Sequence, residues 1–385
     1  MCSYSAMALI HKKINSHHFK NSITMKCYFS LALALLSVMG IFSCTKSQTP
    51  VQAVKSTETL SVPEGSGILN ISLEDPQTKA QLSSVQANKV NTMQIFIFDL
   101  DSGKKETDKY ISDGSTSASL TSLTGDKSVW VAINHEKIQA ESYEDFINTV
   151  SYLKDNSISN FQMTGNNDGV TVTPLDPDTN PNGNNVSVPV YRMASQICLQ
   201  KVKVNFTGTA MEGFTFTIKS LYLKNVLGAC YMDRYTAILS TPYWFNMMTF
   251  ESSDVDALVS DMNMNPGISC PTNGTEVTLN RSYYAYPNPC SNDSNSAQWV
   301  GRHTRLVMQA TVKGTMNGEQ KEYDTYYVFT LPKLVNNHTY DITSVNITML
   351  GKDNDDDDSD TVTGKANVTI QVNGWTETTN LTYNI

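Results

Sequence analysis

Short stretches in which apolar and polar residues alternate, separated by turn-forming residues, recur along this 385-residue chain. Leu69–Leu73 is the first of them, and Val202–Phe206 repeats the pattern in the second half. Strict alternation is typical of a β-strand with one buried face. Many such strands between turn clusters favour antiparallel sandwiches over alternating strand and helix units. The pattern predicts an all-β fold, with further strands at 93–100, 129–133, 214–218, 221–223, 306–308, 326–331, 340–349 and 368–372.

One short helix and one long loop complete the predicted secondary structure. Ser142 and Asp145 have the spacing of a capping box, which marks the start of a helix. Phe146, Val150 and Leu153 then mark one apolar face of this short helix. Residues 166–185 are dense in Asn, Asp, Pro and Gly, and this composition predicts a loop or a series of turns.

An apolar segment near the N-terminus predicts export from the cytoplasm. Residues 28–42 are almost entirely apolar, follow the positive charge of Lys26 and end at the small residue Ser43, directly before Cys44. This is the order of parts in a signal peptide, and the segment is shorter than the ~20 residues that a membrane-spanning helix needs. Because a plain secretory signal needs no cysteine there, the arrangement resembles a bacterial lipoprotein signal, cut after Ser43 and acylated on Cys44. The alternatives are a plain cleaved signal and a short core helix.

The length of the remaining chain predicts two domains. Met25, followed by a lysine, is the predicted true start, and residues 1–43 are excluded from the folded protein. The 342 residues that remain exceed one small core and suit two domains. We predict a lipid-linked tether at 44–66, an N-terminal β-sandwich at 67–186 and a C-terminal β-sandwich at 187–385.

The net charge excludes some classes of partner. Removal of residues 1–43 takes away four lysines and no acidic residue, so the formal charge falls from −9 to −13. A chain this acidic repels phosphate backbones and is not held to an anionic lipid surface by charge. We therefore predict no binding to nucleic acid, and attachment to a membrane through the lipid alone.

The cysteines of the exported chain do not have the spacing of a metal site. No CxxC or Cys/His pattern of a zinc site is present. In an exported protein disulfides can form, and four cysteines allow three two-bridge connectivities. Cys270–Cys290 is the disulfide to test first. Cys198 shares the alternation of Val202 and is predicted to be buried in the core.

Catalytic motifs are absent from the sequence. Only His135, His303 and His338 follow the signal segment, and they are too scattered for a triad or a metal cluster. The chain has no nucleophile elbow, phosphate-binding loop or zinc-protease motif. A dispersed pair of carboxylates stays open, but we predict that the protein is not an enzyme and uses no cofactor and no metal.

Two further segments each allow a binding and a structural interpretation. Residues 353–360 (DNDDDDSD) could hold calcium, but an EF-hand loop needs glycine at its sixth position, where Asp358 lies. A solvated hairpin tip is favoured, and the calcium question stays open. Residues 283–286 (YYAY) could form an aromatic platform for sugars or bases. A strand with its tyrosines packed inside is favoured instead.

Several segments, taken in chain order, resemble the fimbrillin family, the pilus subunits of Bacteroidales. Their shared order along most of 67–385 carries the resemblance, since each segment alone is a short match. The segments are GILNISL (67–73), MQIFIFDLDSG (93–103), SVWVAIN (128–134), FQMTG (161–165), VYRMA (190–194), SYYAYPNP (282–289), NHTYDI (337–342) and NGW (373–375).

This resemblance implies two tandem transthyretin-like antiparallel β-sandwich domains, with the one short helix in the N-terminal domain. It also implies a structural role in cell adhesion, as a lipid-anchored outer-membrane precursor that polymerises with other pilus subunits. In the family a protease removes the first strand, and a strand from a neighbouring subunit fills the vacated groove. Such strand addition takes affinity from main-chain hydrogen bonds and register from alternate pockets. Here the resident strand would carry Leu69, Ile71 and Leu73.

The sequence departs from the family at the predicted trimming site. Members processed by an arginine-specific protease carry Arg there, whereas this chain has Lys79. Either another protease acts, or the first strand stays and the subunit is a non-polymerising anchor, tip or glycan-binding adhesin. A receptor on a host or bacterial surface is not named by the sequence, and a secreted hydrolase is the third alternative. At the C-terminus, Leu381, Tyr383 and Ile385 alternate as a donor strand should, or as an ordinary last strand would.

Overall fold

The computed structural model describes residues 62–74, 88–234, 236–238, 244–245, 256–261, 264–290, 302–355, 367–374 and 378–383. Four predicted functional residues lie outside these ranges, namely Ser43, Cys44, Lys79 and Ile385. No helix in the described part of the chain is long and apolar enough to cross a membrane.

The first half of the chain forms a seven-stranded sheet, as the alternating segments predict. Its strands follow the order β3-β2-β5-β7-β8-β1-β4, and all neighbours are antiparallel except β1 and β8. The strands of this half are β1 (Ser66–Glu74), β2 (Met93–Asp99), β3 (Lys105–Ile111), β4 (Ser117–Leu123), β5 (Gly125–Ile133), β6 (Val150–Tyr152), β7 (Met163–Val172) and β8 (Asn184–Arg192).

The predicted helix is present and its capping box is formed, but it ends at Ile147. Val150 belongs to β6, and Leu153 begins a short 3-10 helix. Helix α1 (Tyr143–Ile147) begins after Ser142, whose hydroxyl accepts a hydrogen bond from the Asp145 amide at 3.1 Å. The Asp145 carboxylate accepts one from the Ser142 amide at 3.1 Å in return. Phe146 is fully buried, with its ring centroid 4.8 Å from that of Phe96 and 5.5 Å from that of Trp130. The helix therefore covers one face of the first sheet.

The described part of the second half forms two larger sheets and a two-stranded one, β11-β13, so the all-β prediction is confirmed. The orders of the larger sheets are β14-β10-β17-β18, where β15 also pairs with β10, and β16-β9-β19-β20-β21, where β9 and β19 are parallel. A four-residue helix, α2 (Asp256–Val259), was not predicted. The strands are β9 (Ser195–Asn205), β10 (Thr215–Lys224), β11 (Val226–Leu227), β12 (Ala229–Tyr231), β13 (Trp244–Phe245), β14 (Ser260–Asp261), β15 (Ile268–Cys270), β16 (Asn273–Ala285), β17 (Arg305–Met316), β18 (Glu319–Thr330), β19 (His338–Ile347), β20 (Asn367–Gly374) and β21 (Thr378–Tyr383).

The predicted loop at 166–185 is shorter than expected. Its first residues belong to β7 and its last two to β8, so only residues 173–183 connect the strands. The pairing of β7 with β5 and the burial of Val170 and Val172 outweigh the local turn propensity. Because β8 pairs with β1 and β7, the first sheet extends to Arg192, and the domain boundary at residue 186 stays a prediction.

A buried hydrogen-bond network joins the two halves of the chain. The hydroxyl of Tyr286, fully buried at the end of β16, lies 2.6 Å from that of Ser151 on β6. It also accepts a hydrogen bond from Asn156 and donates one to Gln162, both at 3.0 Å. Strands β6 and β12 pair beside this network. The predicted packing of the tyrosines is confirmed, since Tyr283, Tyr284 and Tyr286 are 3%, 7% and 0% exposed.

Removal of this hydroxyl should weaken the connection. We expect Tyr286→Phe to lower the free energy of unfolding by about 1–2 kcal/mol, because three buried polar side chains lose a shared partner. Urea unfolding followed by tryptophan fluorescence measures the change. Tyr110→Phe, on the edge strand β3, is the matched control. Equal changes in both variants would contradict a contribution from the network.

Candidate strand-exchange site

Strand β1 lies inside the first sheet rather than at its edge. It runs antiparallel to β4, with Leu69 opposite Leu120, and parallel to β8, with Ile71 opposite Val186. The sheet order places β4 at the edge, with β1 as its neighbour. Departure of β1 would therefore open a groove between β4 and β8 with free backbone groups on both sides.

The inward face of β1 completes the apolar core of this half. Leu69 and Ile71 are 0% and 1% exposed, and Leu73 is half-buried beside them. The core side chains around them are Met93, Ile95, Ile97, Leu120, Val129, Val131, Ile133, Met163, Val170, Val172, Val186, Val188 and Val190. The predicted alternation is thus correct for β1, and a strand that replaced it would have to fill the same pockets.

The outward face of β1 is held by one amide. The carbonyl oxygen of the Asn70 side chain accepts a hydrogen bond from the Ser119 hydroxyl on β4 at 2.7 Å. Its amide nitrogen donates to the Asn182 carbonyl at 2.7 Å and lies 3.4 Å from the Asn185 side chain on β8. Asn70 therefore bridges both neighbouring strands, beside a shallow depression of about 430 Å³ that includes Ser72 and Ser117.

Two glycines let the backbone of β1 approach its surroundings closely. A Cβ atom on Gly67 would lie 2.2 Å from the carbonyl oxygen of Thr173, so no other residue fits without a backbone shift. Gly183 has a φ of 76°, and a Cβ atom there would lie 2.6 Å from the Ile68 carbonyl oxygen. The Asn184 side chain donates to the carbonyls of both Ile68 and Thr173, at 3.2 and 3.1 Å, and holds this contact in place.

Filling the space at Gly67 should weaken the docking of β1. We expect Gly67→Ala to cost about 1–3 kcal/mol of unfolding free energy, because the added methyl group overlaps a backbone atom. Urea unfolding measures the cost, and hydrogen exchange of the β1 amides localises it. Gly169→Ala on β7 is the control, since its Cβ atom would meet only the Asn167 side chain, at 3.8 Å. An equal loss in both variants would contradict a specific contact at Gly67.

A buried ion pair and a hydrogen bond to it connect the two edges of the first sheet. Glu106 lies at a bulge in β3, where the register with β2 shifts, and a bulge redirects the side chain. Its carboxylate lies 2.8 Å from the ammonium group of Lys127, which is 2% exposed, and accepts a hydrogen bond from the Ser122 hydroxyl on β4. Because β3 and β4 are the two edges, these contacts close the sheet on itself beside β1.

The charges of this cluster are held in their ionised forms. Burial alone would lower the pKa of Lys127, but its bonds to Glu106 and Asp99 outweigh that effect, so the pKa lies above its usual value. Hydrogen bonds from Ser102 lower the pKa of Asp99 to about 2, and Lys127, at 3.3 Å, contributes in the same direction. Lys127 and Asp99 are therefore both charged throughout the neutral pH range.

The predicted donor residues lie far along the chain from β1. Leu381 and Tyr383 belong to β21, which pairs with β20 opposite Ile370 and Val368 at the edge of the second-half sheet. This placement makes β21 the last strand of its sheet and leaves its use as a donor a prediction.

The cysteine predictions have different outcomes. Cys270 is a buried free cysteine, and burial raises its thiol pKa to about 11, which disfavours the reactive thiolate. The structure does not form the pair with Cys290, and the pairing stays a prediction. Cys198 is half-buried rather than in the core, because the burial pattern of β9 shifts by one residue between Leu199 and Val202. The pairing of β9 with β16 is irregular at this point.

The acidic segment is attached to the sheet at its beginning. The carboxylate of Asp355 accepts a hydrogen bond from the Tyr222 hydroxyl at 2.7 Å, and the buried ammonium of Lys224 lies 3.4 Å from it. Residues 356–360 lie outside the described part, so the calcium question stays open. Within the described ranges, no group of three His, Cys, Asp or Glu side chains could hold a metal ion.

The polar contacts around β1 were not found from the sequence. Alternation predicts that Asn70 points away from the core, but not that it binds Ser119 and Asn185. Gly67 gives one local signal, since glycine in a strand often marks a close backbone approach. Its partner, Thr173, is remote in sequence.

Solved structures share this arrangement of strands. The fimbrilin FimA from Porphyromonas gingivalis W83 matches with a TM-score of 0.55 at 13% identity, over 80% of this chain and 97% of that one. The chain has the fold of the fimbrilins. A proposed cell adhesion protein from Parabacteroides distasonis matches with a TM-score of 0.55 at 16% identity, over 81% and 99% of the two chains. A similar protein from Bacteroides eggerthii matches at 0.52 and 16% identity, over 80% and 96%.

The likeness to known proteins rests on the fold, at 13–16% identity to these solved structures. No protein-family model matches the chain, and a search of curated proteins finds no match.

Proposed function

We propose that this protein is a structural pilus subunit of the fimbrillin family, exported as an outer-membrane lipoprotein and assembled by strand exchange in cell adhesion. The observation that carries the proposal is the position of β1. It is the first strand of the described fold, yet it is paired on both sides and its inward face is buried. A strand near the N-terminus can be removed by one cut without breaking the rest of the sheet.

The proposed assembly step needs one cleavage and one strand. A cut after Lys79 would separate β1, together with the lipid on Cys44, from the rest of the subunit. The free edges of β4 and β8 would then accept a strand from a second subunit. Main-chain hydrogen bonds supply affinity, and the pockets vacated by Leu69 and Ile71 select alternate apolar side chains.

This role requires no catalytic chemistry. The partners are other pilus subunits, the outer membrane before processing, and a surface receptor of unassigned chemistry. The proposed location is the outer membrane for the precursor and the fimbrium for the processed subunit.

Treatment of the purified precursor with a lysine-directed protease tests the proposal. We expect ladders of SDS-resistant oligomers to form once the residues before Ala80 are lost. The variant Lys79→Gln is the control, and it should stay monomeric under the same treatment. A correctly cut subunit that remains monomeric would contradict polymerisation by strand exchange.

The second candidate function is a non-polymerising surface lipoprotein, which serves as a pilus anchor, a tip or a glycan-binding adhesin. Lys79 favours it, because an arginine-specific protease would leave β1 in place. The readout is the N-terminus of the protein isolated from its native surface. An acylated Cys44 there would support the anchor, tip or adhesin, and an N-terminus at Ala80 would support the polymerising subunit.

A further inference from the structure

The groove around β1 must fix the register of any strand that enters it. A slip of one residue would turn the apolar side chains outward and is excluded by the alternation itself. A slip of two residues keeps the same face of the strand inward, so the apolar pockets alone distinguish poorly between the two registers. To fix the register, the groove needs features that differ from one alternate position to the next, and the structure has two of them.

The first feature is steric and the second is polar. The carbonyl oxygen of Thr173 lies 2.2 Å from where a Cβ atom on Gly67 would be, so that position requires glycine. Three residues later, Asn70 bridges Ser119 on β4 and Asn185 on β8. Thr173, Ser119 and Asn185 all follow residue 79, so they remain in the groove after β1 leaves. The groove therefore selects glycine at the position of Gly67 and asparagine at that of Asn70. It selects apolar residues at the positions of Leu69, Ile71 and Leu73.

One other segment of the chain repeats this order. Residues 364–370 (GKANVTI) match residues 67–73 (GILNISL), with Gly364 in place of Gly67 and Asn367 in place of Asn70. Thr369 also corresponds to Ser72, and the apolar residues Val368 and Ile370 correspond to Ile71 and Leu73. The C-terminal strand does not match at the glycine position in either possible register. Thr379 takes that position when Leu381 takes the place of Leu69, and Glu377 takes it when Asn380 takes the place of Asn70.

We propose, on the basis of the strand-exchange function above, that the entering strand is β20 of a second copy of this chain, with Asn367 in the place of Asn70. Leu381 and Tyr383 of β21 then leave their sheet with β20 rather than entering the groove.

The strand pairing of β20 is compatible with this transfer. It pairs with β19 on one side and β21 on the other, and β21 is the edge strand of the sheet. Departure of β20 and β21 together leaves β19 paired in parallel with β9. The sheet of the donating subunit therefore keeps three connected strands. In the groove, β20 would run parallel to β8 and antiparallel to β4, as β1 does.

Cysteine cross-linking between subunits reads the register directly. In the processed protein, Ser117→Cys combined with Thr369→Cys should give disulfide-linked oligomers. Thr369 takes the place of Ser72, which lies opposite Ser117, and opposed positions of antiparallel strands lie within reach of a disulfide. Ser117→Cys with Thr382→Cys tests the C-terminal strand with Asn380 in the place of Asn70, and Ser117→Cys with Asn384→Cys tests it with Leu381 in the place of Leu69. Ser117→Cys alone controls for the native cysteines, and the unprocessed precursors control for folding.

The outcomes separate this inference from the function on which it rests. Cross-links through residue 369 and none through residues 382 and 384 are expected. Oligomers that cross-link through residue 382 or 384, or through none of the three, would overturn the assignment of β20 and leave strand exchange intact. Failure of the unsubstituted processed protein to form oligomers would overturn both. As a gain-of-function check, Ala366→Leu should make the oligomers more resistant to SDS, because leucine fills the Leu69 pocket that alanine leaves partly empty.

Discussion

Leu69→Ala is expected to lower the free energy of unfolding by about 3 kcal/mol. The side chain is fully buried against Leu120 and the other core residues of the first sheet. Truncation of a buried leucine costs the lost transfer free energy and leaves a cavity in a closely packed core. Urea unfolding measures the loss. The same variant should release β1 more readily, so after cleavage it should polymerise faster than the unsubstituted protein.

Ser72→Ala is the matched control for this prediction. Ser72 lies on the same strand, but its side chain is exposed. Its replacement should change the unfolding free energy by less than about 0.5 kcal/mol, as is usual for surface positions. Similar losses in the two variants would mean that β1 is not held by its inward face, and the proposed pocket at Leu69 would then be wrong.

Glu106→Gln should have the second-largest effect, a loss of about 2 kcal/mol. The substitution keeps the shape of the side chain but removes the charge that faces the buried ammonium of Lys127 at 2.8 Å. Hydrogen bonds to buried charged groups contribute about 1.5–3 kcal/mol, and loss of a partner leaves the desolvation cost uncompensated. Equilibrium unfolding in urea at neutral pH gives the value.

An exposed ion pair of the same length provides the control. Lys313 and Glu322 also lie 2.8 Å apart, but their side chains are 54% and 59% exposed. Exposed pairs contribute about 0–1 kcal/mol, because water screens the charges and both side chains lose freedom. Glu322→Gln should therefore change stability by a few tenths of a kcal/mol. A loss as large as that of Glu106→Gln would show that burial does not decide the strength of these pairs.

The elements that depend on local pattern were predicted correctly from the sequence. Strand β1 is predicted by the alternation of apolar and polar residues, and helix α1 by its capping box. Both signals lie within a few residues of the element. The prediction of a loop over 166–185 was wrong for its first residues, because they pair with β5 and form part of β7 despite their high turn propensity. The prediction that Cys198 is buried in the core was wrong because the burial pattern of β9 shifts by one residue. Alternation counted back from Val202 across that shift assigns Cys198 to the buried face of the strand.

The polar features of the groove required the structure. Gly67 meets Thr173 and Glu106 meets Ser122 only because the sheet brings distant segments together. No period in the sequence marks such pairs. Pattern therefore identified β1 as the candidate strand, but not the positions that fix its register.

The closure of the first sheet by Glu106 has a consequence for assembly. Once β1 is removed, β4 has lost its neighbour in the sheet, yet the Ser122 hydroxyl still binds the carboxylate that Lys127 holds on the opposite edge. The width of the groove is then set before any strand arrives. Preorganisation of this kind reduces the ordering cost of association. In the proposed assembly, an ion pair that reaches the groove through Ser122, opposite Gly67, would thereby affect how quickly a vacant subunit is filled.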